Sequence, residues 1–315
     1  MHAGGSGRIV AVGFCHSTLS DDFLESGDMS TAGTLPELKP AVIETLPSRE
    51  AQAGLLRPAL SLCRRELVRF LRQRHRIVGA LATPIVFWLL IGGGVGNSLS
   101  MGGPHGESYI QFFFPGTLVM ILLFTAIFST ISIIEDRKEG FLQSVLVAPV
   151  SRAAVVLGKV LGATALAAGQ GLVFLAFAPL IGFHFTVISF LMAILLLLVI
   201  SFGLSSLGFA IAWSMTSTQG FHAIMNLFLM PMWFLSGAMF PPQGAWWGLK
   251  WIMAANPLTY GLAGLRHTML LGDGRSTYLP GPGLAVSFAV SCAFAAVLFV
   301  AASMVARRDS AADLA

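Results

Sequence analysis

Charge is scarce in this sequence: Asp, Glu, Lys and Arg make up 11% of its 315 residues, against roughly 25% in a soluble domain. With 55% hydrophobic residues and a mean hydropathy of +0.78, that scarcity excludes an ordinary soluble protein and marks an integral membrane chain. Cysteine is scarce too. Cys15, Cys63 and Cys292 are too scattered for a disulfide framework, and no C-x-x-C or Cys/His cluster signals a metal site. No G-x-x-x-x-G-K-[ST] phosphate loop occurs: Gly158-Lys159 is followed by Val160 in an apolar stretch with no glycine loop upstream. Carboxylates are missing from the long apolar runs, whereas proton- and sodium-driven transporters carry acids there. Nor does a cluster of Glu, His or Ser at one depth suggest an embedded enzyme. The net charge of +4 would suggest nucleic acid in a soluble chain; here the basic residues gain meaning only from their place relative to the membrane, and no nucleic-acid role is expected.

What the chain has is apolar sequence in lengths suited to about 30 Å of hydrocarbon. Six runs qualify: Ile77 to Asn97, Phe112 to Ile134, Val160 to Ile181, Val187 to Trp213, Phe221 to Phe240 and Leu284 to Ala306. Each must be a helix, because an open strand leaves backbone polar groups unpaired in lipid. The fold class expected is an all-α bundle of six transmembrane helices. Gly158 and Gly162 have G-x-x-x-G spacing, which permits close helix contact, although a Gly-rich chain produces it by chance about as often.

Arg57 to Arg76, Arg137, Lys138, Arg152, Lys159, Arg307 and Arg308 all fall on one side if the number of spans is even. The positive-inside rule then puts both termini in the cytoplasm, with the protein multi-pass in the plasma or inner membrane. Residues 1–50 are polar and rich in Gly, Ser, Thr and Asp, and are expected to be a disordered extension. Their short "IVAVGFC" makes a poor signal peptide, and a start nearer Met29 is a competing explanation. Residues 51–308 read as the transmembrane domain and 309–315 as a short cytoplasmic tail.

Ahead of the first span, Leu60, Cys63, Leu67, Phe70 and Leu71 share one face of a helical wheel, with Arg65, Arg69, Arg72 and Arg76 on the other. That is the pattern of an amphipathic helix lying in the membrane interface, where the arginines fix topology and hold anionic lipid headgroups. Between the second and third spans lies "EDRKEGFLQSVLVAPVSR", from Glu135. Its order predicts a helix leaving the membrane, a C-terminal stop at Gly140, a short lateral helix ended by Pro149, and a new helix capped by Ser151. Two readings of this stretch stand side by side: a rigid elbow, or a solvated loop whose charges set orientation.

These residues sit inside a longer resemblance. From Tyr109 the sequence "YIQFFFPGTLVM…EDRKEGFLQSVLVAPVSRAAVVLGKVLG" is similar to type-2 ATP-binding-cassette (ABC) exporter permeases, with Phe-Pro-Gly, Arg-x-x-Gly, Pro-x-Ser-Arg and Gly-Lys in order. From Phe234, "FLSGAMFPPQGAWWGLKWIMAANPLTYGLAGLRHTML" resembles the same family's second signature, the whole covering roughly Leu55 to Arg308. The acidic pair Glu135-Asp136 departs from members with a basic residue there. The resemblance implies an exporter permease that is not itself an enzyme and binds no cofactor. A separate cytoplasmic ABC ATPase would hold ATP and Mg, and a second permease subunit, identical or paralogous, would complete the pathway.

It also implies that the elbow is a coupling helix. Glu135, Asp136, Arg137, Lys138, Glu139 and Arg152 would give the ATPase charged contacts, Phe141, Leu142, Val145 and Leu146 an apolar ridge, with Gly140 and Pro149 as stops. Asn256, Pro257, Tyr260 and Arg266 would belong to a re-entrant segment before the last helix. Phe113, Phe114, Trp233 and Phe234 with Asn226 are candidates for a path for drug-like, lipid-like or glycan cargo, though lipid-facing packing is the commoner use of such aromatics. His222 and Asn226 are the main polar residues inside the spans, and an interhelical hydrogen bond is the alternative role for both. A transporter or channel independent of ATP is the alternative reading of the whole chain.

Overall fold

The helix Tyr109–Ser129 (α3) lies at the centre of the protein, with residues from Phe113 through Ile127 almost continuously buried. In the computed structural model residues 55–96, 108–147, 150–240, 244–272 and 281–312 are described, and every regular element among them is helical. All belong to the unit Arg49–Ala315; the chain's other unit, Met1–Ser48, lies outside the described residues, as do the predicted extension 1–50 and Pro149.

The remaining helices are α1 (Leu56–Arg72), α2 (Arg74–Gly96), α4 (Ile131–Lys138), α5 (Phe141–Val147), α6 (Arg152–Leu175), α7 (Val187–Trp213), α8 (Thr218–Phe234), α9 (Trp247–Ala255), α10 (Pro257–Leu270) and α11 (Leu284–Ala312). Helices α2, α6, α7, α8 and α10 pack around α3, and α11 lies along α7. Among the described residues, four stretches are long and apolar enough to cross a membrane: Tyr109–Lys138, Arg152–Ile181, Val187–Trp213 and Leu284–Arg307. The other two predicted spans differ from these. In α2 the apolar part is the shorter Leu81–Gly94. In α8 the helix has 17 residues and stops at Phe234, not Phe240. The Ser236 hydroxyl donates to the Trp233 carbonyl at the end of α8, and Gly237 then takes a positive φ of 84° that a continuing helix forbids.

Helix α4 continues α3 after a break at Thr130. There the hydroxyls of Ser129 and Thr130 donate to the carbonyls of Ala126 and Ile127, the kind of side-chain competition that bends a helix. The two glycines of the G-x-x-x-G motif do have a partner, and it is α1. A Cβ on Gly158 would lie 2.7 Å from the Ala59 carbonyl oxygen, and one on Gly162 would lie 2.8 Å from the Glu66 Cβ. Only glycine lets α1 press this closely on α6.

The buried stripe of α1 is thus Ala59, Leu62 and Glu66, a different face from either named by the wheel. Cys63, Leu67 and Phe70 are half-buried, while Leu56, Leu60 and Leu71 are exposed beside Arg57, Arg64 and Arg72. Arg65 and Arg69 turn toward α4 instead of outward.

Candidate functional site

The elbow is built by local rules. Helix α4 ends at Lys138; Glu139 caps it and Gly140 follows at φ 74°, the left-handed C′ position that glycine fills without strain. Helix α5 runs for seven residues, and α6 is capped by Ser151, whose hydroxyl accepts from the Ala154 amide at 3.3 Å.

Most of the elbow's charges are spent inside the protein. Asp136 is fully buried. Its carboxylate accepts two parallel hydrogen bonds from Arg65 and one from Arg69, each of 2.9 Å, and a further one from the Lys159 ammonium. Lys159, also buried, donates to Glu66 at 2.6 Å and to Ser132 at 3.4 Å. Arg69 reaches Glu135 at 2.9 Å and the more exposed Glu139 at 3.6 Å. Three cations, Arg65, Arg69 and Lys159, thus meet four carboxylates, Glu66, Glu135, Asp136 and the outermost, Glu139, where α1, α4 and α6 converge. The hydrogen bond with Asp136 holds the Arg65 guanidinium above its usual value despite its partial burial. The neighbouring Cys63 thiol is pushed up, first by burial and then by the Glu66 charge.

Arg137 and Arg152 also have internal partners. Arg137 donates at 2.6 Å to the carbonyl of Trp213, the last residue of α7, and lies 5.4 Å from that ring's centroid. A cation at an unpaired helix C-terminus is well placed. Arg152 donates to the Ala306 carbonyl of α11 at 3.2 Å. Of the predicted charged contacts, this leaves Lys138 and Glu139 exposed. In the ridge, Leu142 is buried, Phe141 is half-covered by the Arg65 guanidinium 3.6 Å from its ring centroid, and Val145 is half-buried. The side chains of Leu146 and Arg76 lie outside the described set.

The predicted path residues separate into two groups. Phe113 and Phe114 are buried: Phe114 stacks on Phe174 at 4.5 Å, while Phe113 sits in a cluster with Phe87 and Trp233 at 6.0–6.1 Å. Trp233 donates its indole N–H to the Gly116 carbonyl at 2.7 Å. Trp233 and Phe234 line a cavity of about 620 Å³ between α1, α2, α3 and α8, together with Phe70, Phe87, Met120, Phe124, Phe128 and Met230. Its polar groups are Thr83, Thr125, Ser129 and His222. His222 packs 5.0 Å from Phe128, and Asn226 lies on the exposed face of α8 with Leu227 and Phe228.

The second signature makes a corner. Asn256 caps α10 by accepting from the Leu258 amide at 3.0 Å, and its amide donates to the Met232 carbonyl of α8 at 2.6 Å. Pro257 takes the first helical position, where its missing N–H costs nothing. Thr259 and Tyr260 donate to the carbonyls of Met253 and Ala254 in the last turn of α9, the first of which also accepts from the Asn256 amide at 3.2 Å. Arg266 donates to the Gly237 carbonyl at 2.9 Å and lies 4.3 Å over the Phe112 ring. Among the described residues, no group of three or more His, Cys, Asp and Glu converges as metal ligands do.

The long apolar helices among the described residues are those of a multi-pass membrane protein. Residues 59–270 match the ABC-2 type transporter family. This chain belongs to that family, and is a transmembrane permease of an ABC transporter. It is 26% identical over 235 residues to nodulation protein J of Rhizobium leguminosarum bv. viciae, covering 74% of this chain and 86% of that protein. It is 27% identical over 235 residues to nodulation protein J of Sinorhizobium fredii, with the same coverage. The inner membrane transport permease YadH of Escherichia coli K12 is 26% identical over 217 residues, 67% of this chain and 82% of YadH.

Proposed function

We propose that this permease is the membrane half of an ATP-driven exporter, docked through its elbow on a separate cytoplasmic ABC ATPase that holds ATP and Mg. The observation that carries the reading is the division of the elbow's charge. Asp136, Arg137 and Arg152 are taken up internally, while Lys138 and Glu139 stay exposed at the mouth of α5. A loop needed only for orientation would use its cations alone; this one is braced at several points and presents one charge of each sign. Lys138, Glu139 and the open side of α5 are the docking face.

In this arrangement α2 and α8 complete six passes, both termini are cytoplasmic, and the protein sits in the plasma or inner membrane. The exposed apolar flank of α1, Leu56, Leu60 and Leu71, rests in the interface with Arg57, Arg64 and Arg72 toward lipid headgroups. Helices α9 and α10 form the re-entrant segment, whose corner at Asn256 pairs its own carbonyls, as a turn at membrane depth requires. The cavity's aromatic lining suits an amphipathic cargo, and a second permease copy faces the outer side of α8.

The test is charge reversal. Lys138→Glu is expected to cut co-purification of the ATPase at least tenfold, while the permease inserts and melts as the unaltered protein does. Undiminished co-purification removes this face from the interface. Reversing Arg152 or Glu139 would be a poorer test, because the first also breaks the tie to α11 and the second the ion pair with Arg69.

A further inference from the structure

We propose that Lys159 and Asp136 are positioning residues: the buried ionic node they centre binds α1, α4, α5 and the elbow end of α6 into one block that moves as a unit. The proposal rests on the docking reading above, since a load on α5 is what the block would carry.

The contacts trace a continuous route. Phe141, at the start of α5, lies under Arg65 of α1, 3.6 Å from its ring centroid. Arg65 grips the Asp136 carboxylate of α4 with both guanidinium nitrogens at 2.9 Å. Asp136 and Glu66 of α1 both bind the Lys159 ammonium of α6, and Gly162, one turn on from Gly158, leaves the room that Glu66 needs to reach it. Such a node is poor ballast for stability alone, because an apolar core of the same volume is often as stable. Its distinctive property is geometric. A two-pronged guanidinium–carboxylate pair fixes orientation as well as distance, and a charge that loses its partners while it stays buried is left uncompensated at a large cost. Apolar side chains slide and repack; these do not.

The experiment measures the separation of spin labels at Arg64→Cys on α1 and Ser144→Cys on α5, both exposed positions, by pulsed electron resonance. It uses the full chain in lipid nanodiscs with Cys15, Cys63 and Cys292 replaced by Ser. The unaltered node is expected to give one narrow distance distribution. Glu66→Gln combined with Lys159→Met removes one charge of each sign and leaves Asp136 paired with both arginines; the distribution is expected to widen at least twofold while the ATPase still co-purifies. An unchanged width in that variant overturns the proposal. Should it fail to insert, Arg65→Lys, which keeps the charge but loses the fork, is expected to widen the distribution, and an unchanged width there overturns it equally. Failure of the unaltered permease to retain the ATPase would count against the docking reading, whereas the label widths decide the node independently of it.

Discussion

Cys63 reports on the ionic node one residue at a time. Burial and the Glu66 charge both raise its thiol's pKa, so at a given pH less of it is the thiolate that reacts with maleimides. In a chain with Cys15 and Cys292 replaced by Ser, labelling at pH 7.5 should be several-fold slower than that of a free thiol and should climb as pH rises. Glu66→Gln removes the second of the two causes, lowers the pKa and speeds labelling at the same pH. A rate indifferent to Glu66 would mean that the carboxylate does not act on Cys63. Single residues also show where sequence reading succeeds. Gly140 and Ser151 were legible because a stop or a cap is decided by neighbours within a few positions. The Arg65–Asp136 and Lys159–Glu66 pairs join residues 71 and 93 positions apart, which no wheel or spacing displays. For the same reason Arg65 and Arg69 resembled a solvated face: a helix projection shows which residues share a side, not what comes to meet that side.

At the scale of elements, two contacts decide the arrangement around the elbow. Helix α1 is held to α6 by glycine as much as by charge, and a methyl group at Gly158 would push against the Ala59 backbone and the Leu62 Cβ, neither of which can swing aside. Gly158→Ala should cost about 1–3 kcal/mol, seen as faster amide exchange along α1, with α3 unaffected. If exchange in α1 does not change, the close approach is not what holds it. The corner between α9 and α10 is the second. Asn256→Ala removes a cap, worth about 1 kcal/mol, and the tie to the Met232 carbonyl, so a lowered melting temperature is expected, with Asn256→Asp restoring the cap but not the tie. Apolar run length identified four of the predicted spans, because that physics is local to the run. It overran the end of α8, where the hydroxyl of Ser236 and the conformation of Gly237 stop a helix within sequence that remains apolar.

For the whole molecule, the fold separates two jobs that the elbow's sequence presents together. Internal partners absorb Glu135, Asp136, Arg137 and Arg152; Lys138, the open side of α5 and Glu139, which also pairs with Arg69, stay exposed, and on the docking reading these meet the ATPase. With no phosphate loop in the sequence, the purified permease should hydrolyse no ATP unless an ATPase subunit is added, and hydrolysis by this chain alone would contradict the division of labour. The central claim, that the elbow is where the ATPase sits, is tested most directly by a photo-crosslinking residue at Ser144, which is exposed on α5, with the same residue at Trp247, exposed on α9, as control. In cells expressing the transporter, illumination should join the Ser144 position, and not the Trp247 position, to an ABC ATPase. Crosslinks from Ser144 only to lipid or to other permease segments, with the ATPase captured elsewhere on the chain, would contradict it.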